Sequence, residues 1–204
     1  CMHGEVPKYI CDLYRRQLHK RYPRLENKPI IFFHNTDYAD PYDIDSDVIV
    51  VRSSINRSTM GSSDIVKPAR ILYKDWKGPI LEKKITIGFC GYPHTHPLRT
   101  EILEELSASG KIEFDRYYTE NFFYHYRRKI KRDNPRLGDI AVDELLQKEQ
   151  GPLKKNFHDI LHRNIFSFCP RGRGNYSFRF YETLRAGRIP VLVDSDQVFP
   201  CEDL

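Results

Sequence analysis

The chain has 204 residues, of which 40% are hydrophobic and 30% charged, and its mean hydropathy is −0.61. This composition excludes a disordered or fibrous protein, and no apolar stretch reaches the roughly 18 residues that a membrane span requires. The formal net charge of +5 fits a small anionic ligand better than a nucleic-acid scaffold. The length suits one large domain or two small ones.

The first part of the chain contains one predicted helix and two predicted strands. Apolar residues at helical spacing predict an amphipathic helix over residues 7–22. The apolar runs at 30–33 and 47–51 predict buried strands. We place a domain junction near residues 76–84.

The second part alternates strands with helices more regularly. This order predicts a parallel sheet with right-handed crossovers, and we expect two Rossmann-like halves, residues 1–80 and 81–204. The predicted strands are 84–90, 112–118, 165–169 and 189–193, and the predicted helices are 98–109, 139–149, 156–163 and 177–186. Gly110 and Gly187 stand where two of these helices should end.

The cysteines are scattered over the chain. The five cysteines show no CxxC spacing, so they predict neither a disulfide framework nor a cysteine zinc site. Cys90 and Cys169 lie in apolar runs and are predicted to be small core residues.

The turn before the helix at 177–186 has the features of an anion site. Gly172 and Gly174 lie in this turn, and Ser177 is a good N-cap residue. Free N–H groups and the dipole at a helix start attract negative charge.

Charged side chains in and after this turn match a nucleotide. Arg171, Arg173 and Arg179 offer guanidinium groups whose geometry suits phosphate oxygens. Glu182 lies five residues beyond the cap, within reach of a ribose attached to a phosphate at the helix start. Alternatively, Arg179, Glu182 and Arg185 form a solvated ladder of ion pairs.

The segment 164–193 resembles the exostosin family, glycosyltransferase family 47. That family has a block F-x-x-x-P-R-G-R-x-x-x-S-F-R-F-x-E-x-L, followed by a strand with x-P-V. The matching positions are Phe166, Pro170, Arg171, Gly172, Arg173, Ser177, Phe178, Arg179, Phe180, Glu182, Leu184, Pro190 and Val191. A weaker similarity covers Phe89-Cys90-Gly91 and Arg99.

The resemblance implies an inverting glycosyltransferase with a GT-B fold: two Rossmann-like halves with parallel sheets and the active site in the interdomain cleft. It implies that residues 1–80 form the acceptor side and that residues 81–204 bind the nucleotide sugar. It implies a nucleotide-sugar donor, most simply a UDP-sugar, and an oligosaccharide or glycoprotein acceptor. Glu182 would bind the ribose, while Arg171, Arg173 and the helix start at Ser177 would bind the diphosphate, with Arg99 joining them. The full set of expected donor-binding residues is Arg99, Arg171, Gly172, Arg173, Asn175, Ser177, Arg179 and Glu182. We expect no tightly bound cofactor; a divalent cation is compatible with the sequence but not required by it.

The acceptor hydroxyl needs a general base. The polar segment after strand 30–33 offers His34, Asp37 and Asp40, and we expect Asp37 or His34 to be the base. The alternative is that these residues only cap the loop.

Two further patterns allow other interpretations. Asp43, Asp45 and Asp47 could bind a metal as in a GT-A enzyme, but we interpret them as a solvated loop. The basic segment 127–136, preceded by aromatic residues, allows a non-catalytic module that binds nucleic acid or another polyanion. We favour a solvated helix face there and expect no nucleic-acid partner.

Two histidines lie in the turn after the predicted strand 84–90. His94 and His96 lack an evident third metal ligand, so we expect them to contact donor or acceptor.

Two sequons, at Asn56 and Asn175, bear on localisation. A glycan at Asn175 would obstruct the proposed phosphate turn, so we expect a cytoplasmic protein. The alternative is the Golgi lumen, with an N-terminal anchor removed. Because family members continue past the last predicted strand, we expect a compact or trimmed enzyme.

Overall fold

The computed structural model describes residues 8–25, 28–34, 37, 39–40, 48–69, 84–121, 123–200 and 202. The chain forms two compact units: the first unit is Cys1–Arg70, Arg173–Tyr176 and Asp194–Leu204, and the second unit is Ile71–Gly172 and Ser177–Val193. The predicted boundary between residues 80 and 81 lies outside the described residues. Two segments that the sequence assigned to the C-terminal half, 173–176 and 194–204, belong to the first unit.

The first unit has a three-stranded parallel sheet. Its strands are β1 (Ile30–His34), β2 (Val48–Arg52) and β3 (Asp64–Val66), in the order β1-β2-β3, and helix α1 (Lys8–Arg21) precedes them. The predicted helix and the two predicted strands are confirmed, but only β2 is buried as predicted, since Ile31 and Phe33 of β1 are exposed. Strand β3 was not predicted, because three residues inside a mixed polar segment show no usable periodicity.

A buried ion pair joins β2 to β3. Arg52 is 1% exposed, and its Nε and Nη2 atoms donate to the Oδ1 and Oδ2 atoms of Asp64 at 2.9 and 3.0 Å. Its Nη1 atom donates to the carbonyl of Asp40 at 2.6 Å. All three nitrogen atoms of one buried guanidinium group thereby donate hydrogen bonds inside the first unit.

Asn175 fixes a second set of loops in the first unit. Its side chain is fully buried, and its Nδ2 atom donates to Ile55 O, Asn56 Oδ1 and Ser195 O at 3.3, 2.7 and 2.9 Å. Ser195 Oγ donates to Asn175 Oδ1 at 2.9 Å, and the backbone N–H of Asn175 donates to Ser54 Oγ at 3.0 Å. The two sequon asparagines are therefore hydrogen-bonded to each other.

The second unit has a four-stranded parallel sheet. Its strands lie in the order β5-β4-β6-β7. They are β4 (Lys84–Gly91), β5 (Phe114–Tyr118), β6 (Asn164–Phe168) and β7 (Ile189–Val191), with helices α2 (Pro97–Ala108), α3 (Phe123–Asp133), α4 (Asp139–Arg163) and α5 (Phe178–Arg185).

Helices cover both faces of this sheet. Helix α2 packs on the face of Phe89, the centre of a buried cluster that also contains Leu103 and Phe168. On the other face α4 approaches so closely that a Cβ atom at Gly88 would lie 3.0 Å from Ile160 Cγ2. Such coverage explains why the central strands β4 and β6 are rich in apolar residues, whereas the edge strand β5 (FDRYY) is polar and mostly exposed. The prediction that Cys90 and Cys169 are core residues is confirmed, since both are buried free thiols.

Helix α4 corrects the prediction of two helices at 139–149 and 156–163. The structure has one helix of 25 residues with Pro152 inside it. Proline in a helix interior removes one hydrogen bond and usually ends or kinks the helix. Here the helix packs against α3, β4, β5 and β6 on either side of the proline, and this packing outweighs the local preference.

The predicted ends of α2 and α5 are confirmed. Gly110 and Gly187 follow these helices with φ of 60° and 65°, the left-handed conformation that glycine adopts at helix ends. Ser177 is the N-cap of α5, but its side chain makes no cap hydrogen bond. Overall the chain is an α/β protein with parallel sheets, compatible with a Rossmann-like fold. None of the described helices combines the length and apolarity needed to cross a bilayer.

The buried Arg52–Asp64 pair leads to the first prediction. Asp64→Asn should lower the free energy of unfolding by about 3 kcal/mol, because it leaves a buried guanidinium group without its counter-charge. Urea unfolding measures this loss. The matched control is Asp133→Asn, which breaks the exposed Arg132–Asp133 pair and should cost less than about 0.5 kcal/mol. Equal effects of the two substitutions would contradict the assignment.

A second prediction concerns Asn175. Asn175→Ala should destabilise the protein by about 2–3 kcal/mol, because several buried polar groups lose their partner together. Asn134→Ala is the control, since the side chain of Asn134 is exposed and donates to Ile130 O at 3.2 Å. Its cost should stay below about 1 kcal/mol in the same thermal and urea unfolding experiments. A tolerated Asn175→Ala would show that these contacts do not hold the loops.

Candidate anion-binding site

The connectivity of the second sheet marks one place for a ligand. Strands β4 and β6 are neighbours, but the chain runs from β4 through α2 to β5 on one side, and from β6 through α5 to β7 on the other. The strand order therefore reverses between β4 and β6. In open parallel sheets, ligands bind beyond the carboxyl ends of the two strands at such a switch point.

Two arginines meet over one aromatic ring at this switch point. The guanidinium carbons of Arg99 and Arg179 lie 5.4 and 4.8 Å from the centroid of the Phe89 ring, and Arg179 also lies 5.2 Å from that of Phe157. Arg99 donates to the hydroxyl of Thr95, and Arg179 donates to the carbonyl of Cys90. The aromatic faces attract the cations but do not neutralise their charge.

No carboxylate in the described part of the chain forms an ion pair with Arg99 or Arg179. Their Nε atoms are also buried without a hydrogen-bond partner among the described residues. Burial, and then the charge of Arg179, lower the pKa of Arg99 to about 9, so that Arg99 is still a cation at neutral pH. A buried cation without an ion-pair partner is costly. Arg99 is buried and Arg179 is half-buried, and charged groups in such surroundings cluster at functional sites.

Arg171 adds a third cation to the site, and its charge acts on the neighbouring residue His96. The pKa of His96 is lowered by burial, then by the charges of Arg171 and Arg99. Burial also lowers the pKa of Arg171. Gly172 follows Arg171, and a Cβ atom there would meet nothing within 4 Å. The structure thus brings together Arg99 and Arg179, two of the predicted phosphate ligands, while Arg171, a third, lies in the loop that follows β6 and acts on His96.

Glu182 and Ser177 belong to the same unit. Burial raises the pKa of Glu182, while the charge of Arg179 opposes that shift. Arg179 and Glu182 form no ion pair in the described part of the chain, so these two residues do not form the alternative ladder. Because Ser177 makes no side-chain cap bond, the start of α5 is not capped in the usual way.

Arg173 and Asn175, also predicted to bind the donor, lie in the first unit. Arg173 is exposed, whereas the side chain of Asn175 is buried among protein partners. Their donor-binding role stays a prediction.

The two candidate bases differ in exposure. His34 is 6% exposed, and its pKa is lowered by burial, then by Arg52 and Lys67. Asp37 is exposed, and its Oδ1 atom accepts a hydrogen bond from the Tyr176 hydroxyl at 3.2 Å. Burial and the carboxylate raise the pKa of Tyr176, so its hydroxyl stays a donor. Gly174 is required beside them, since a Cβ atom there would lie 2.9 Å from Asp37 Cα.

The basic helix α3 is partly neutralised. A pocket of about 540 Å³ lies beside it, lined by Asn121, Tyr126, Arg128, Lys129 and Arg132. Three of its cations form ion pairs: Arg127 with Asp139 and Asp143, Lys131 with Asp139, and Arg132 with Asp133. This pairing favours the predicted solvated helix face.

Asp43, Asp45 and Asp47 lie outside the described residues. Within the described ranges, no group of three or more histidine, cysteine, aspartate or glutamate side chains could hold a metal ion.

Sequence reasoning did not predict that the rings of Phe89 and Phe157 contact the arginines of the site. Phe89 was noted only for its place in the weaker motif, and Phe157 lies in a helix whose sequence contains no signal for this contact. Their position emerges only when α4 and β4 pack together.

No protein-family model matches the chain. Two known proteins are similar to part of it. Exostosin-1c of Danio rerio is 41% identical over 49 residues, which are 24% of this chain and 7% of that protein. Exostosin-1 homolog of Caenorhabditis elegans is 32% identical over 62 residues, 30% of this chain and 16% of that protein. The chain therefore spans a small part of either relative, and over these segments it is exostosin-like.

Proposed function

We propose that the chain is an inverting glycosyltransferase of exostosin type. It transfers a sugar from a nucleotide sugar, a UDP-sugar in our proposal, to a hydroxyl of a glycan acceptor. The proposal includes the assignment of roles expected for a GT-B enzyme: the second unit binds the donor and the first unit supplies the base. The partial similarity to exostosins supports the enzyme class.

The uncompensated pair of Arg99 and Arg179 is the observation on which the donor site rests. Both guanidinium groups lie over Phe89 at the switch point of the parallel sheet, with Arg171 in the loop that follows β6. A bound diphosphate would supply the counter-charge that the described chain does not. Glu182, on α5, would accept hydrogen bonds from ribose hydroxyls.

The chemistry follows from where charge develops. The acceptor oxygen forms a bond to the anomeric carbon while the bond from that carbon to the phosphate oxygen breaks. The bonding electron pair leaves with the nucleoside diphosphate, and the acceptor proton passes to the base. Fixed guanidinium groups stabilise the departing negative charge because they need no reorientation during the reaction.

Exposure favours Asp37 over His34 as the base. A base must reach the acceptor hydroxyl, and the carboxylate of Asp37 is exposed whereas His34 is buried at the end of β1. The Tyr176 hydroxyl orients that carboxylate through its hydrogen bond of 3.2 Å. Tyr176 is therefore a positioning residue in this proposal.

The third prediction tests the donor site. Arg171→Ala and Glu182→Ala should each raise the Kd for the UDP-sugar that binds best in a panel of UDP- and GDP-sugars, by about tenfold or more. Calorimetry measures the affinity, and circular dichroism checks the fold. The control, Lys129→Ala, removes a cation of the α3 pocket and should leave the Kd unchanged.

The same variants distinguish a glycosyltransferase from the alternative function, a module that only binds polyanions. A polyanion-binding module would bind no donor, would lose affinity steeply with salt and would respond to Lys129→Ala. Unchanged donor affinity in both the Arg171 and Glu182 variants would contradict the proposed site.

The fourth prediction tests the base. Asp37→Asn should lower the transfer rate about a hundredfold or more without changing donor affinity, because the base acts only on the acceptor hydroxyl. Rates of sugar transfer and donor Kd are measured on the same preparation. His34→Gln is the matched variant and should retain activity; a loss confined to His34→Gln would move the base to His34.

A further inference from the structure

A histidine lies at the start of α2, close to the arginines of the candidate site. His96 is the N-cap residue of this helix, and its Nδ1 atom accepts a hydrogen bond from the Leu98 N–H at 3.2 Å. Arg99 lies three residues further on, in the same helical turn. The charges of Arg171 and Arg99 both act on the His96 imidazole, so the ring lies in the electrostatic field of these two arginines.

The backbone of this helix start has no donors left for a ligand. Pro97, the first helical residue, has no N–H, and the Leu98 N–H is used by His96. The N–H groups of Arg99 and Thr100 donate to His96 O at 3.1 and 3.2 Å. A ligand at this helix start can therefore be bound only by side chains.

The cap hydrogen bond fixes the proton of the imidazole. A neutral imidazole that accepts at Nδ1 has its proton on Nε2. Burial and the charges of Arg171 and Arg99 hold the pKa of His96 below its usual range, which favours the neutral ring. Protonation would place a third cation beside two arginines and would remove the acceptor that caps the helix.

We propose that His96 binds the diphosphate of the donor, with its Nε2–H donating to a phosphate oxygen beside Arg99 and Arg171. This inference rests on the proposed function and adds a neutral donor to the arginines. An anion is the fitting ligand because the flanking groups are cations, and a neutral donor adds a hydrogen bond without further charge repulsion. His96 forms no other hydrogen bond through Nε2 in the described part of the chain.

Two substitutions separate ligand binding from helix capping. Asparagine is among the best N-cap residues, so His96→Asn keeps the cap while its short side chain cannot reach the position of Nε2. Glutamine places an amide N–H near that position but is not a favoured N-cap residue. Helix capping alone predicts that Asn is tolerated and Gln is harmful; ligand binding predicts the reverse order for affinity.

The experiment measures Kd for UDP and for the best UDP-sugar at pH 8, where the imidazole is neutral, together with Tm. We expect His96→Asn to raise both Kd values about tenfold with Tm unchanged. His96→Gln should lower Tm and keep Kd within about threefold of the wild type. Lys129→Ala, a change at an exposed residue of α3, should affect neither quantity.

The outcomes are distinguishable. Wild-type affinity in His96→Asn would overturn the inference and leave the proposed function standing. A loss for the UDP-sugar with none for UDP would move His96 from the diphosphate to the sugar and would also overturn it. A wild-type protein that binds neither UDP nor any UDP-sugar would refute the proposed function itself.

Discussion

The second unit holds two arginines, Arg99 and Arg179, that form no ion pair with any of its described carboxylates. Arg99 and Arg179 share the face of Phe89, and burial lowers the pKa of Arg99 to about 9. The aromatic ring, the hydroxyl of Thr95 and the carbonyl of Cys90 hold the two groups in place. Because a buried cation without a counter-ion lowers stability, Arg99 in particular supports our proposal that an anion binds there.

The sheet order determines where these charges meet. Arg99 is on α2, which follows β4, and Arg179 is on α5, which follows β6. Since β4 and β6 are adjacent parallel strands, the first turns of both helices lie at the same edge of the sheet. The same edge contains Arg171 and His96, so one topological feature assembles cations from three separate chain segments. A sheet ordered as in the sequence would not have brought these helix starts together.

The elements that the sequence predicted well are those whose signal is local. Apolar runs identified β4 and β6, and Gly187 identified the end of α5. The errors arose where packing decides. Helix α4 continues through Pro152 while it packs against the sheet and α3, and β3 exists through its parallel pairing with β2, which its three residues do not predict. For the candidate site, too, local sequence signals predict individual residues but not the packing between segments. Arg171, Arg179 and Glu182 were found from spacing and resemblance, but the shared ring of Phe89 depends on register between strands, which no single segment contains.

The segment from Arg171 to Arg179 fulfils two structural requirements at once. Arg171, Ser177 and Arg179 belong to the second unit and to its cationic region, whereas the intervening Asn175 and Tyr176 belong to the first unit. There, Asn175 is fully used in hydrogen bonds to Ile55, Asn56 and Ser195. A turn that resembles one continuous phosphate-binding motif thus contains residues constrained by protein packing alongside those that we propose bind the donor. We therefore expect a change in the length of this segment to disturb both the hydrogen bonds of Asn175 and the placement of Arg171 and Arg179.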